Sequence, residues 1–228
     1  MKKILFVLFT LSMLFFIGCS SKPAVWYTDL EQATMEAEKN NKELLIFFSG
    51  MGWDGYSDKY YNEILSTEEF LKEAGKNYVA LNLNIVTDES NLTEEEIITN
   101  QTNYMIANSM GVATIPMVFT TSADGVPYSY FIYNESSTLE TTLDQLLVSG
   151  EIGNKIKSLT KQLDKTTGVE KAKIIDELYY SVPVEFSYQF TDLIREFPSL
   201  DPENKTGKLG EYKLVLAYEE AMVIFQES

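Results

Sequence analysis

The spacing of apolar residues changes several times along the chain, and each change predicts an element of secondary structure. The run Glu43–Ser49 is almost continuously apolar, which is typical of a central strand buried on both faces. Residues 78–86 alternate apolar residues with asparagines and predict a second strand. Met117–Thr121 and residues 127–133 flank a short polar turn containing Asp124 and Gly125, which predicts a β-hairpin.

Apolar residues at helical spacing separate these strands. They predict a helix from Trp26, capped by Thr28 or Asp29, and further helices from near Asp54, over 67–76, from 93 to about 110 and over 138–148. The predicted order is helix, strand, helix, strand, helix, strand, strand, helix. After residue 150 the pattern is helical only, with prolines between the segments. We therefore expect a mixed unit at 26–150 and an all-helical region at 151–228.

The N-terminus has the pattern of an export signal. Two lysines precede an apolar run over 4–17, which is shorter than the roughly 20 residues that cross a bilayer. Gly18 and Cys19 end this run, in a sequence that resembles a bacterial lipobox. We expect residues 1–18 to be a signal peptide and Cys19 to carry acyl chains such as palmitate, since several chains on one residue give a lasting membrane anchor. Residues 19–25 are then a lipidated tether.

The composition excludes several classes of function. A formal net charge of −16 argues against nucleic-acid binding, which needs a positive face. The chain contains no histidine, so it lacks the base of Ser-His-Asp and Cys-His catalysis and the commonest ligand of transition metals. Cys19 is its only cysteine. We expect neither a cofactor nor a metal.

Four features in order resemble the thioredoxin-like fold family, in particular its exported bacterial members. They are the N-terminal Trp26, the strand leading into Trp53, Pro116 before a further strand, and Asp124-Gly125 in the hairpin turn. The resemblance covers roughly residues 24–150, and helical extensions are also found behind such domains. It implies an α/β fold, a three-layer α/β/α arrangement with a central mixed sheet, followed here by an all-α C-terminal extension. It also implies a cis peptide bond between Ile115 and Pro116, although a trans proline that simply begins a strand is the alternative.

This sequence departs from the family at the centre of the site. Alignment on Trp53 places Asp54 and Ser57 where active relatives have two cysteines. Thiol–disulfide exchange needs an attacking thiolate and a resolving thiol, and a carboxylate and a hydroxyl supply neither. Cys19 precedes the domain and is expected to be lipidated. The sequence therefore excludes disulfide oxidoreductase activity.

The degenerate turn Trp53, Asp54, Gly55, Tyr56 and Ser57 admits several interpretations. Asp54 is expected to cap the next helix, because its carboxylate suits unpaired helix N–H groups, and Ser57 is a tolerated small polar residue. A site that binds a polar group is the alternative. Trp53 and Tyr56 are candidates for an exposed recognition patch, although aromatic residues more often serve packing. Asp54 with Asp58 is a poor calcium site, because calcium wants six to eight oxygen ligands.

These observations predict a redox-inactive surface lipoprotein that works by binding a protein or peptide in the extracytoplasmic space. Contact would involve the turn and the edge formed by Thr114, Ile115 and Pro116, in a chaperone-like or recognition role at the bacterial cell envelope. One alternative is a hydrolase-like enzyme that uses Asp54. Another is a binding protein that works through its helical C-terminal region.

Overall fold

A computed structural model describes the backbone of residues 22–226 and the side chains of residues 22–222. The predicted signal peptide and Cys19 lie outside this range. Five strands form one sheet in the order β1-β3-β2-β4-β5. They are β1 (Trp26–Tyr27), β2 (Glu43–Ser49), β3 (Tyr78–Asn84), β4 (Met117–Thr121) and β5 (Pro127–Ile132). The helices are α1 (Leu30–Asn40), α2 (Gly55–Tyr60), α3 (Glu68–Asn77), α4 (Glu94–Ser109), α5 (Leu139–Leu163), α6 (Gly168–Tyr179), α7 (Thr191–Leu200) and α8 (Leu209–Gln226).

The apolar run of β2 occupies the centre of the sheet because both of its faces are covered. All seven of its residues are buried, and it runs parallel to β3 and antiparallel to β4. Helices α3 and α5 cover one face, where Phe70 and Leu146 join the core. Helices α1 and α4 cover the other, where Ala33 and Ala107 allow close approach. The predicted three-layer α/β/α fold with a mixed sheet and a helical C-terminal region is confirmed.

Trp26 begins a strand, and the prediction of a helix at this position is wrong. Trp26 and Tyr27 pair in parallel with Ala80 and Leu81 of β3, and α1 begins only after its cap Asp29. The indole N–H of Trp26 donates to the Leu65 carbonyl oxygen at 3.2 Å, which fixes the strand against the core. A two-residue strand is too short to show an alternating pattern in sequence.

The predicted division at residue 150 falls inside a helix, since α5 runs without interruption from Leu139 to Leu163. The glycine at position 153 allows close packing and does not interrupt the helix. A Cβ there would lie 2.8 Å from both the Glu43 Oε2 and the Tyr128 Oη. The region after α5 also folds back onto the sheet, where Phe186 packs against Phe119 and Tyr130. The mixed unit and the helical region therefore share a core.

A buried polar cluster lies where α5 crosses the sheet. Glu43 is 5% exposed and forms an ion pair with Lys157 of α5 at 2.8 Å. The Tyr128 hydroxyl donates to the Glu43 carboxylate and lies 3.4 Å from the Tyr78 hydroxyl. Burial raises the pKa of Tyr78 to about 12, with the nearby Glu43 charge adding to the effect. Burial likewise raises the pKa of Tyr128 far above its ordinary value.

We expect these tyrosines to make the fold sensitive to alkali. An unfolded tyrosine ionises near pH 10, so their contribution to stability is complete below about pH 10 and is lost as the pH rises through the folded values. Urea unfolding measured from about pH 8 to about pH 12 should show a falling free energy of unfolding above about pH 10. Tyr78→Phe should reduce that slope. A free energy that stays constant to about pH 12 would contradict the assignment.

The N-terminal segment is fixed at the edge of the sheet where the parallel strands begin. Ala24 is buried, and its N–H donates to the Leu71 carbonyl oxygen of α3 at 2.7 Å. Gly75 of α3 lies so close that a Cβ would come within 2.3 Å of the Lys22 carbonyl oxygen. Residues 22–24, which the sequence analysis assigns to the tether, are therefore packed against the domain.

Candidate functional site

The turn after β2 lies at the opposite edge of the sheet, where the parallel strands end. Its chain direction depends on glycines: Gly52 has φ +89°, a conformation that side chains with a Cβ rarely adopt. At Gly50 a Cβ would lie 2.7 Å from the Trp53 ring and 2.9 Å from the Ile115 Cδ1. The absence of a side chain at position 50 therefore lets the Trp53 ring and the Ile115 side chain both lie against the backbone at this position.

Asp54 is the N-cap of α2, as the sequence analysis expects. Its Oδ2 accepts hydrogen bonds from the Ser57 N–H at 2.8 Å and from the Ser57 hydroxyl at 2.6 Å. The Ser57 hydroxyl in turn accepts from the Gly50 N–H at 2.9 Å and is completely buried. Ser57 thus joins the Gly50 backbone to the Asp54 cap and holds the turn against its helix. The expectation that Ser57 is only a tolerated small polar residue is too weak.

This geometry argues against acid–base chemistry at Asp54. One carboxylate oxygen serves the cap, and four cavities with volumes of about 390 to 610 Å³ are lined by residues other than Asp54. Asp58 also has a structural partner, because its Oδ1 accepts a hydrogen bond from the Gly52 N–H at 3.0 Å. Within residues 22–226 no group of three or more acidic, cysteine or histidine side chains is placed to hold a metal ion. Asp54, the residue on which the hydrolase hypothesis depends, therefore already serves as a structural cap.

Trp53 and Tyr56 are exposed but anchored. The indole N–H of Trp53 donates to the Ile85 carbonyl oxygen at 2.7 Å, while the residue remains 47% exposed. Tyr56 is 51% exposed, and its hydroxyl donates to the Glu135 carboxylate at 3.3 Å. Both rings are therefore oriented with little freedom left to lose, which favours them as contact residues.

Tyr60 and Tyr61 belong to the core rather than to this surface. Tyr60 is 1% exposed and packs on Phe47 and Tyr133, and burial raises its pKa well above the ordinary value. The Tyr61 ring lies parallel to that of Phe47 and also contacts Trp26. Of the aromatic residues around this turn, the exposed patch consists of Trp53 and Tyr56.

The edge beside the turn is formed by Thr114, Ile115 and Pro116. The Ile115-Pro116 peptide bond is cis, as the family resemblance implies. Pro116 is buried, Ile115 is half-buried, and Thr114 is exposed. Within residues 22–226, the Thr114 N–H and carbonyl make no backbone hydrogen bond. The Ile115 side chain and the Trp53 ring both lie close to Gly50, so this exposed backbone is on the same side of the turn as Trp53 and can pair with an extended chain.

A polar network lies under the turn, and the sequence did not predict it. The Asn84 Oδ1 accepts from the Met51 N–H at 2.7 Å, and the Ser49 hydroxyl donates to the Asn82 Oδ1 at 2.7 Å. These side chains fix the first residues of the turn to the ends of β2 and β3. The alternating asparagines of β3 were visible in sequence, but their partners across the sheet were not.

No helix among residues 22–226 has the length and apolar character needed to cross a bilayer. A curated relative, the thioredoxin-related protein DsbJ of Chlamydia pneumoniae, is 31% identical over 61 residues, which is 27% of this chain. That alignment spans only 18% of the relative. The solved structure of a DsbH oxidoreductase matches 54% of this chain and 82% of its own, at 18% identity and a TM-score of 0.45.

The family comparison is broader. The model of the thioredoxin-like domain matches residues 30–146, just over half of the chain, including β2, the turn, the cis proline and the hairpin. The chain has a single cysteine at position 19, so this turn lacks the dithiol of a disulfide oxidoreductase. The strand order of the sheet and the helix cap at Asp54 are consistent with this family match. The chain therefore belongs to the thioredoxin-like domain family.

Proposed function

We propose that this protein is an exported, lipid-anchored thioredoxin-fold module that binds a protein or peptide without redox chemistry. The lipid would be carried by Cys19, and binding would take place in the extracytoplasmic space of the cell envelope. The observation that carries the proposal is the pair of half-exposed, hydrogen-bonded rings of Trp53 and Tyr56, together with the Thr114 backbone, which makes no backbone hydrogen bond to residues 22–226.

The anchored rings favour recognition for an energetic reason. Aromatic residues dominate the binding energy of protein interfaces, and truncating such a residue costs about 2 kcal/mol or more. Because the Trp53 and Tyr56 side chains are already held by hydrogen bonds, little conformational entropy is lost on binding. An extended peptide can then pair with the backbone of Thr114, as a strand added to an edge.

A second candidate surface lies on α8. Leu214 is 73% exposed, and Tyr218 and Met222 follow at four-residue spacing, with exposed fractions of 67% and 40%. Residues at this spacing share one helix face, so they form an apolar row. This row is the observation that favours the alternative in which the helical region binds the partner. Deleting residues 151–228 would cut α5 and remove Phe186 from the sheet core, so point substitutions are the better test.

We expect Trp53→Ala with Tyr56→Ala to reduce partner binding by about 30-fold or more, since each 1.4 kcal/mol is a factor of ten in affinity. The partner set would be defined by affinity purification of the full chain from cell-envelope extracts, and each affinity would then be measured by calorimetry. The matched control is Leu214→Ser with Tyr218→Ser, which removes the apolar row of α8. Binding lost only in the control would assign the function to the helical region, and equal binding by both variants would overturn the proposal.

A further inference from the structure

The edge of the sheet where the parallel strands begin carries a cavity of about 610 Å³ between α3 and α5. Every residue that lines it, apart from Gly150, has a polar or charged side chain. Four of these residues are lysines, namely Lys76, Lys157, Lys161 and Lys165. We call it the lysine cavity. Four lysines against one glutamate leave its lining with a net charge of +3, in a chain whose formal net charge is −16.

Two of the four lysines are available to an anion from outside the chain. Lys76 and Lys157 pair with glutamates at 2.6 and 2.8 Å. Lys161 and Lys165 are exposed and form no ion pair with any side chain of residues 22–222. The helix dipole accounts for one lysine in the last turn of α5, but it does not explain why lysines from two helices meet at one cavity.

The lysines of α5 form a row that is longer than a single small anion. Lys157, Lys161 and Lys165 follow one another at four-residue spacing along α5 and just past its last residue. At about 1.5 Å per residue, the row is about 12 Å long. The amide groups of Asn77 and Asn154 belong to the same lining and can donate to phosphate oxygens. The row can therefore contact several phosphates at once, as the surface of an anionic bilayer presents them.

The start of the folded chain lies beside this cavity. A Cβ at Gly75 would come within 2.3 Å of the Lys22 carbonyl oxygen, and Gly75 immediately precedes the lining residues Lys76 and Asn77. The segment that leads from Cys19 therefore meets the body next to the lysine cavity. A lipid on Cys19 would bring both to the membrane. This step depends on the lipid of the proposed function, whereas the charge of the cavity does not.

The opposite edge of the sheet has the opposite charge. The segments that follow β2, β3 and β5, at residues 50–60, 85–97 and 133–140, contain nine acidic residues and one lysine. An anionic surface repels that edge and attracts the lysine cavity. The charge distribution of the body therefore favours one orientation on such a surface.

We propose that the lysine cavity docks the body on the phosphate groups of anionic lipids, in the membrane that holds the Cys19 lipid. Lys161 and Lys165 contact the phosphates directly. The acidic residues at the far edge do not prevent this, because charges are screened over about 8 Å at physiological ionic strength. The Cys19 lipid keeps the cavity at a high effective concentration near the bilayer, so a weak contact is sufficient. The site is separate from the Trp53 and Tyr56 patch, and its failure would leave partner binding by that patch unaffected.

The binding test uses the chain from residue 20, which cannot be lipidated and retains every residue that the structure describes. Co-sedimentation with phosphatidylcholine vesicles is compared with and without about 30% phosphatidylglycerol, at about 50 and about 300 mM salt. We expect binding to the anionic vesicles alone, and weaker binding at the higher salt concentration. Equal binding to both vesicles, or to neither, would overturn the proposal. Inorganic phosphate and a polyglutamate peptide are the rival probes. A chain that binds either of them but no vesicle would assign the cavity to a free anion or to an acidic partner instead.

Two matched pairs of substitutions test the cavity itself. Each basic residue near an anionic surface contributes about a factor of five to binding, so Lys161→Gln with Lys165→Gln should lower vesicle affinity about 20-fold. Lys59→Gln with Lys213→Gln makes the same change in net charge at exposed positions outside the cavity, and should change affinity by less than about threefold. Equal losses in the two pairs would show that binding follows net charge alone, and would contradict the assignment.

A single fluorescent label tests the orientation. The chain from residue 20 has no cysteine, so one introduced cysteine defines the labelled position. Asn154→Cys places the label at the lysine cavity, and Asn91→Cys places it on the exposed segment after β3. On anionic vesicles that contain lipids with a nitroxide in the headgroup, we expect quenching at position 154 and little at position 91. Equal quenching, or stronger quenching at position 91, would overturn the proposal.

Discussion

Replacing Asp54 and Ser57 together by cysteine is expected to turn this protein into a disulfide reductase. The two positions are the N-cap and the third residue of α2, the spacing at which a dithiol can close. The unpaired N–H groups at the start of the helix favour a thiolate at position 54 and lower its pKa below the ordinary value of about 8.5. The buried site of the Ser57 hydroxyl would shield the resolving thiol.

The measurement is reduction of insulin disulfides by dithiothreitol, in a Cys19→Ser background so that the two new thiols are alone. We expect the double variant to exceed the parent's background rate by about tenfold or more, and Asp54→Cys alone to form mixed disulfides without turnover. Loss of the Asp54 cap should cost about 1 kcal/mol of stability, which the fold can accommodate. A double variant that folds but forms no intramolecular disulfide would show that this turn has lost the geometry of a dithiol site.

The largest loss of stability is expected from Glu43→Ala. Glu43 is almost fully buried, accepts from the Tyr128 hydroxyl and pairs with Lys157 of α5. Removing the carboxylate leaves the buried Tyr128 hydroxyl with only a long contact to Tyr78 and removes an ion pair that joins the sheet to the helical region. Breaking a buried pair typically costs 3–5 kcal/mol, and because Lys157 is half-exposed and can be rehydrated we expect about 3 kcal/mol.

Urea unfolding at neutral pH measures this loss, with Glu73→Ala as the matched control. Glu73 also pairs with a lysine, Lys76 at 2.6 Å, but both side chains are half-exposed, whereas Glu43 is buried. An exposed pair contributes about 0–1 kcal/mol, so the control should unfold almost as the parent does. Similar free energies of unfolding for Glu43→Ala and Glu73→Ala would show that the buried cluster contributes no more than a surface pair.

The sequence predicted the central strands and the hairpin because their apolar runs are long. β2 is recognisable from seven consecutive residues, whereas β1 has two and depends on its pairing with β3. Residue 150 looked like a boundary because helical texture begins there, yet α5 had already begun at Leu139. The return of Phe186 to the sheet is a contact between distant residues, which no local pattern reveals.

The candidate site was predicted in the same uneven way. Asp54 as a cap follows from helix chemistry and is visible in sequence. The role of Ser57 was missed because its partner, the Gly50 N–H, belongs to the preceding turn and is reached only when the chain folds back. Asn100 and Asn103 would be expected to face solvent on a helix. They are buried because the edge of β3 lacks a strand, which depends on where β1 ends.

The packing of Ala24 and Gly75 sets how the protein would sit on a membrane. Since residues 22–24 are fixed to α3, only Ser20 and Ser21 separate Cys19 from the folded body. At about 3.5 Å per residue, the segment from Cys19 to Ser21 spans no more than about 10 Å. A lipid on Cys19 would therefore hold the body close against the headgroups by the end of the sheet where the parallel strands begin. The Trp53 turn would then point outward, toward whatever approaches the bilayer.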